Sequence, residues 1–256
     1  MFKSFFLACL IAATSSSVAD ATEVLYVYGP GGPAPAMREA AKAFGNAHDI
    51  RVEVTAGPTG KWGADFQKNG DIIYSGSENM MSGFLTQFAH VIDPATVNPL
   101  YVRPAGILVR PGNPQHIRGF DDLLKPGMQV MVVEGAGQVG MWEDIAGARG
   151  DVDTIRNFRK HIARSAPNSA DALKAWQTQP SLTAWIIFPI WAVAHQGVAD
   201  VVPLSPPYLI YRDCGVALTH RGERQANARA FLEFLGGPDG RRIFVKYGWV
   251  DHAATN

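Results

Sequence analysis

The chain has 256 residues, with 23 basic and 23 acidic side chains and therefore no formal net charge. That balance argues against a nucleic-acid binder, which needs a basic surface, but a local anion site needs only a few donors. The only cysteines are Cys9 and Cys214.

The first segment reads as an export signal. Lys3 supplies a positive start, Phe5 to Ala13 is a short apolar run, and Ala19 and Ala21 offer small-residue cleavage positions. Cleavage is expected after Ala21, or after Ala19 as second choice, which places the mature chain in the periplasm. Cys9 sits too early to carry a lipid anchor. Its removal leaves Cys214 alone, so no internal disulfide is expected, and the core must hold by burial. Cys214 lies in the apolar run Cys214 to Leu218 and reads as a small buried hydrophobe. No later stretch resembles a membrane span: Ala184 to Val193 is short and contains Pro189.

Strands and helices then alternate. Glu23 to Tyr28 reads as a buried strand, Ala34 to Ala47 as an amphipathic helix and Ile50 to Thr55 as a strand. Lys61 to Lys68 reads as a helix, Asp71 to Tyr74 as a strand and Glu78 to Phe88 as a helix capped by Ser77. This order implies a parallel sheet covered by helices, with ligands beyond the carboxyl ends of its strands. A second unit follows. Strands are expected at 105–109, 129–133, 181–187 and 198–203, and helices at 140–148, 152–161 and 168–177. A strand at 215–219 and helices near 224–235 and 238–247 close the chain. No internal repeat and no flexible linker stand out. Two lobes fit this pattern, with crossings near Tyr101 to Pro104 and Ser205 to Arg212. The expected division is 22–102 plus 207–256 for the first lobe and 103–206 for the second.

Candidate chemistry gathers at the strand-to-helix junctions. Tyr28 to Pro33 (YGPGGP) exposes the amides of Gly31 and Gly32 before a helix start, a common way to hold an anion. Ala56 to Trp62 (AGPTGKW) adds the charge of Lys61 and the ring of Trp62. Tyr74 to Met80 adds the hydroxyls of Ser75 and Ser77, and Pro167 to Ala170 adds Asn168 and Ser169. Glu134 to Asp144 (EGAGQVGMWED) contains Gly137, Gln138, Val139 and Gly140. It formally satisfies a dinucleotide fingerprint, but the acidic residue that should end the next strand is lacking, so no nucleotide or other cofactor is expected. Arg103 and Arg212 lie near the two crossings, where a guanidinium can grip an oxyanion through paired hydrogen bonds worth roughly 1.5–3 kcal/mol each. Each residue taken singly has a structural explanation, such as a cap, a packing ring or a surface ion pair. The repetition of small and hydroxyl residues at five junctions points to a donor-lined cleft. The seven histidines show no metal-ligand spacing, and no nucleophile elbow is present.

These stretches, with RNFRK, PNS and KYGW in the same order, resemble the accessory colonization factor AcfC family. That family is a branch of the type 2 periplasmic binding proteins, distantly similar to molybdate- and sulfate-binding proteins. The resemblance implies an α/β fold of two lobes joined by two crossing segments and closing on a small anion. It implies cleft positions at Gly31, Gly32, Lys61, Trp62, Ser75, Ser77, Arg103, Gly137 to Gly140, Asn168, Ser169 and Arg212. The stretch between EGAG and WED is only Gln138 to Met141, shorter and less polar than in some relatives. The expected role is a non-enzymatic solute-binding protein, with an ABC-type transporter as partner and a homodimer left open. An exported enzyme acting on a phosphorylated or sulfated molecule, and a surface adhesin, are the competing expectations.

Overall fold

A computed structural model describes residues 23–250. The expected signal segment and Cys9 lie outside the described residues. The chain begins with β1 (Val24–Gly29), α1 (Ala34–His48), β2 (Arg51–Ala56), α2 (Gly63–Asn69), β3 (Ile72–Tyr74) and α3 (Glu78–Gln87), and then β4 (Asn98–Pro104). It continues through β5 (Gly106–Val109), β6 (Val130–Val133), α4 (Met141–Ala146), α5 (Val152–His161), β7 (Ile162–Ala166), α6 (Ser169–Thr178), β8 (Ala184–Ile187), α7 (Ile190–Ala194) and β9 (Asp200–Pro203). It returns with β10 (Tyr211–Leu218), α8 (His220–Glu223), α9 (Ala226–Gly236) and α10 (Pro238–Lys246).

The strands form two five-stranded sheets, ordered β2-β1-β3-β10-β4 and β7-β6-β8-β5-β9. In the first, β1 runs parallel to β2 and β3, while β10 is antiparallel to β3 and β4. In the second, β6 runs parallel to β7 and β8, while β5 is antiparallel to β8 and β9. The lobes therefore share one strand topology although the sequence shows no repeat. The antiparallel strand of each sheet is where the chain comes into that lobe from the other: β5 enters the second and β10 re-enters the first. Both crossings meet side by side, where the Ala105 N–H donates to the Ile210 carbonyl at 2.9 Å.

Burial explains the pattern. Leu25 and Val27 of β1 and Met37, Ala40, Ala41 and Phe44 of α1 close one face of the first sheet, with Phe231 and Phe244 packed beside them. Its other face carries an aromatic cluster of Tyr28, Trp62, Phe66, Phe84 and Phe88. The second lobe buries Ile107, Val130, Trp176, Trp185 and Phe158. Each such side chain removed from water contributes roughly 1.5–3 kcal/mol. Cys214 is fully buried in the first core, and burial pushes its thiol up, as suits an inert packing residue. Among the described residues no helix is long and apolar enough to cross a membrane.

The expected elements recur with small shifts, and four more appear. Tyr101 to Pro104, expected in a crossing, form the end of β4, and Tyr211 and Arg212 already belong to β10. β7 and the short helices α7 and α8 were not foreseen.

Helix α6 is fixed at its far end by Arg110. Its guanidinium donates to the carbonyls of Trp176 (2.8 Å), Gln179 (2.6 Å) and Leu182 (2.8 Å) and lies 3.8 Å from the Trp176 ring centre. A cation on the last carbonyls of a helix satisfies orphan acceptors and the negative end of its dipole. Arg110→Ala should lower the unfolding free energy by about 2–4 kcal/mol in urea titrations. Arg110→Lys should recover less than half, because an ammonium cannot serve three divergent carbonyls in one plane.

Candidate functional site

Between the lobes lies a cavity of about 230 Å³. Loops that follow parallel strands wall it on both sides. Residues 30–33, 57–59 and 76 follow β1, β2 and β3, and residues 137–138, 167–170 and Trp191 follow β6, β7 and β8. Such sheets place their ligands beyond the carboxyl ends of their strands, and here two sets of ends face each other.

Among the described residues, Arg103 is the one charged side chain in the wall. It is 3 % exposed, and its Nε and Nη1 have no hydrogen-bond partner. Its Nη2 lies 3.5 Å from the Gly76 carbonyl, the limit of a hydrogen bond. The guanidinium is held between two rings, 3.7 Å from Phe188 of the second lobe and 4.4 Å from Trp249 of the first. Burial pushes its pKa down to about 9, against the opposing pull of Cys214 and Asp213. Asp213 does not neutralise it by a direct bond: the Asp213 Oδ2 is itself unpartnered, and Asp213 faces Glu78, whose carboxyl is raised by burial and by that neighbour. A buried cation without a bonded counter-charge is costly, and a bound anion offsets that cost.

Neutral donors surround it. At the start of α6, Asn168 Oδ1 accepts from the Asp171 N–H at 2.9 Å, and the Ala172 N–H returns to the Asn168 carbonyl at 3.0 Å. Ser169 and Ala170 line the cavity, and their first-turn N–H groups have no acceptor inside the helix. The start of α1 supplies less than expected. Pro33 and Pro35 have no N–H, and the Ala34 N–H already donates to the Gly31 carbonyl at 3.3 Å. Gly31 and Gly32 contribute space beside the cavity instead. A Cβ on Gly32 would lie 2.9 Å from Arg103 Nη1. Gln138 is 3 % exposed, and its Oε1 has no partner.

Of the residues singled out in the sequence, the structure brings Gly31, Gly32, Arg103, Gly137, Gln138, Asn168 and Ser169 together around the cavity. It places the others elsewhere. Lys61 is exposed. Trp62 is buried in the aromatic cluster, and its Nε1 donates to the Gly57 carbonyl at 2.9 Å, supporting the loop from behind. Ser75 bridges to Gly215 by accepting its N–H at 3.2 Å, and Ser77 caps α3 by accepting the Met80 N–H at 3.2 Å. Val139 is exposed, and Gly140 opens α4 with a φ of 71°. Arg212 is paired with Asp144 on the second lobe. Glu134 anchors its own loop by accepting from Trp142 Nε1 at 3.1 Å. Trp191, Phe188 and Trp249 were not singled out. Phe188 and Trp191 sit in an apolar run whose sequence signal is that of ordinary core, and Trp249 lies in the KYGW stretch near the end of the chain. The spacing of the histidines hides one convergence: His220, Asp93 and Glu223 bring ligand atoms within 4.8 Å of one another on the first lobe's surface.

The lobes meet backbone to backbone. A Cβ on Gly137 would lie 2.4 Å from the Gly76 carbonyl oxygen, so only glycine allows this approach. Together with the Arg212–Asp144 pair and the Phe188–Arg103 stack, this contact describes a closed cleft.

Arg103→Met should leave the ligand-free protein as stable as the wild type or more so, measured by the urea midpoint, because an unpaired buried charge is replaced by an apolar chain. The Arg212–Asp144 pair is partly solvated and should show a coupling of only about 0–1 kcal/mol in a double-mutant cycle on thermal unfolding.

A comparison with curated protein sequences finds no match. Among solved structures, PEB3 from Campylobacter jejuni is 31% identical, with a TM-score of 0.82 over 89% of this chain and 100% of that one. PEB3 with L-phospholactate bound superimposes with a TM-score of 0.84 at the same identity and coverage. The sulfate-binding protein SubI from Mycobacterium tuberculosis H37Rv shares the fold at 18% identity and a TM-score of 0.72, over 90% of this chain and 88% of that one. A family model matches residues 25–250. With that match and two lobes built around a shared cleft, the chain belongs to the bacterial extracellular solute-binding protein family.

Proposed function

We propose that this protein captures a small anion in the interlobe cavity and holds it without chemical change. The observation that carries this reading is Arg103, a buried guanidinium with two nitrogens unpartnered in the cavity wall. The first-turn N–H groups of Ser169 and Ala170 add neutral donors suited to oxygens of the same guest. No carboxylate, histidine or cysteine lines the cavity among the described residues, so no proton-transfer pair accompanies the cation. That favours binding over catalysis. The cavity of about 230 Å³ is smaller than the roughly 300–1,000 Å³ that drug-sized ligands occupy.

The relatives narrow the guest. PEB3, 31% identical, has been solved with L-phospholactate, and the sulfate- and molybdate-binding neighbours share the fold. A phosphorylated carboxylic acid is the first candidate and a tetrahedral oxyanion the second. We place the chain in the AcfC branch, acting in the periplasm and presenting its closed, loaded form to an ABC-type transporter.

A thermal-shift screen with phospholactate, phosphoglycerate, citrate, phosphate, sulfate and molybdate tests this. A true ligand at a hundredfold excess over its Kd should raise stability by about 2.7 kcal/mol. Arg103→Met should weaken the best ligand by at least tenfold in calorimetric titration. Equal affinity in that variant would remove Arg103 from the site.

A further inference from the structure

Trp191 lines more than one cavity. A second chamber of about 320 Å³ adjoins the first and shares Gly31, Gly32 and Trp191 as a common wall. Its remaining lining includes Arg38 from α1 and Ile190, Ala194 and His195 around α7, so it too lies between the lobes. We infer that the two chambers form one groove with a cation at each end, and that the second chamber takes the second acidic group of a ligand bearing two. This inference rests on the first chamber being an anion site and assigns Arg38 and His195 as specificity-determining residues.

Three observations carry it. First, the charges are of one sign. Arg103 sits in the first chamber and Arg38 in the second, beside the imidazole of His195, and no carboxylate lines either one. Arg38 is exposed and forms no ion pair with a described carboxylate, so its guanidinium is available to a guest. Second, the residue common to both walls has an unused donor. Trp191 Nε1 is buried and has no acceptor, although buried indole N–H groups normally find one. Its ring is held flat against His195, with centroids 5.8 Å apart and planes 13° apart, which fixes both at the junction. Third, the shared wall is thin. Gly31 and Gly32 place no side chain there, and a Cβ on Gly31 would come into ordinary contact with Trp191 Cη2 at 4.0 Å.

A short carbon chain with an acid at each end matches this layout. One oxyanion meets Arg103 and the α6 amides, the middle passes Gly31, Gly32 and Trp191, and the other acid meets Arg38 and His195. Phosphorylated or sulfated carboxylic acids have this form, whereas a single tetrahedral oxyanion occupies only the first chamber.

The test compares L-phospholactate with inorganic phosphate by isothermal titration of the full chain and of Arg38→Gln, His195→Gln and the double variant. The wild type should bind phospholactate at least tenfold more tightly than phosphate. The double variant should lose at least tenfold for phospholactate while its phosphate affinity changes less than twofold, and Trp191→Phe should weaken phospholactate alone. Matching thermal midpoints without ligand exclude misfolding as the cause. Unchanged phospholactate affinity in the double variant overturns the second subsite and leaves the first chamber standing. So does a wild type that gains nothing from the second acid. Failure of the wild type to bind either probe overturns the anion-site reading itself, and this inference with it.

Discussion

One guanidinium organises this protein. Arg103 is placed by β4 at the boundary between the lobes, between Trp249 on one side and Phe188 on the other. Rings can hold a cation by their faces, but that attraction does not replace the water the cation has lost. The arrangement is poor for stability and well suited to recognition. Its unpartnered nitrogens leave a buried positive charge in the closed cleft without a bonded counter-charge.

The fold supplies the rest by repetition of topology. Each lobe has three adjacent parallel strands whose carboxyl ends give three loops, one antiparallel strand (β10 or β5) by which the chain enters, and an edge strand (β4 or β9) by which it leaves. Placing the two sets of ends face to face converts six short loops into one enclosure. Because the loops are anchored in rigid sheets, their amides keep fixed positions. Arg110 extends that logic by holding the far end of α6, so that the helix start at Ser169 stays in place.

Much of this architecture is legible in the sequence. β1, β3, β5, β6 and β8 are short buried runs and announce themselves as such. β7 escaped because it is an edge strand, with Ala163 and Ser165 exposed and no β-branched run beyond Ile162. β4 begins with Asn98-Pro99, which reads as a break, and proline is tolerated there only because β4 is also an edge. For the cavity, glycine, serine and asparagine at the junctions pointed to loops that wall it. They could not say which of their neighbours face inward. Lys61 drew attention as a charge beside a glycine loop, yet it points to solvent, while Trp62 next to it turns into the core. Arg103 and Arg212 are indistinguishable by composition. They sit directly opposite each other on paired strands, and only the packing decides that one is buried beside the cavity and the other meets Asp144. Trp191 was invisible because a ring in an apolar run looks the same whether it packs or lines a passage.

The two rings around Arg103 belong to different lobes, and this has a thermodynamic consequence. Any rotation that parts the lobes lifts Phe188 away and rehydrates the guanidinium, so the vacant molecule gains by gaping. A guest of the opposite sign removes that incentive, because it replaces solvent as the partner of the charge. The gap between the two postures is thus set by the hydration of a single group, and a receptor that recognises only the shut posture would seldom be occupied by unladen carriers.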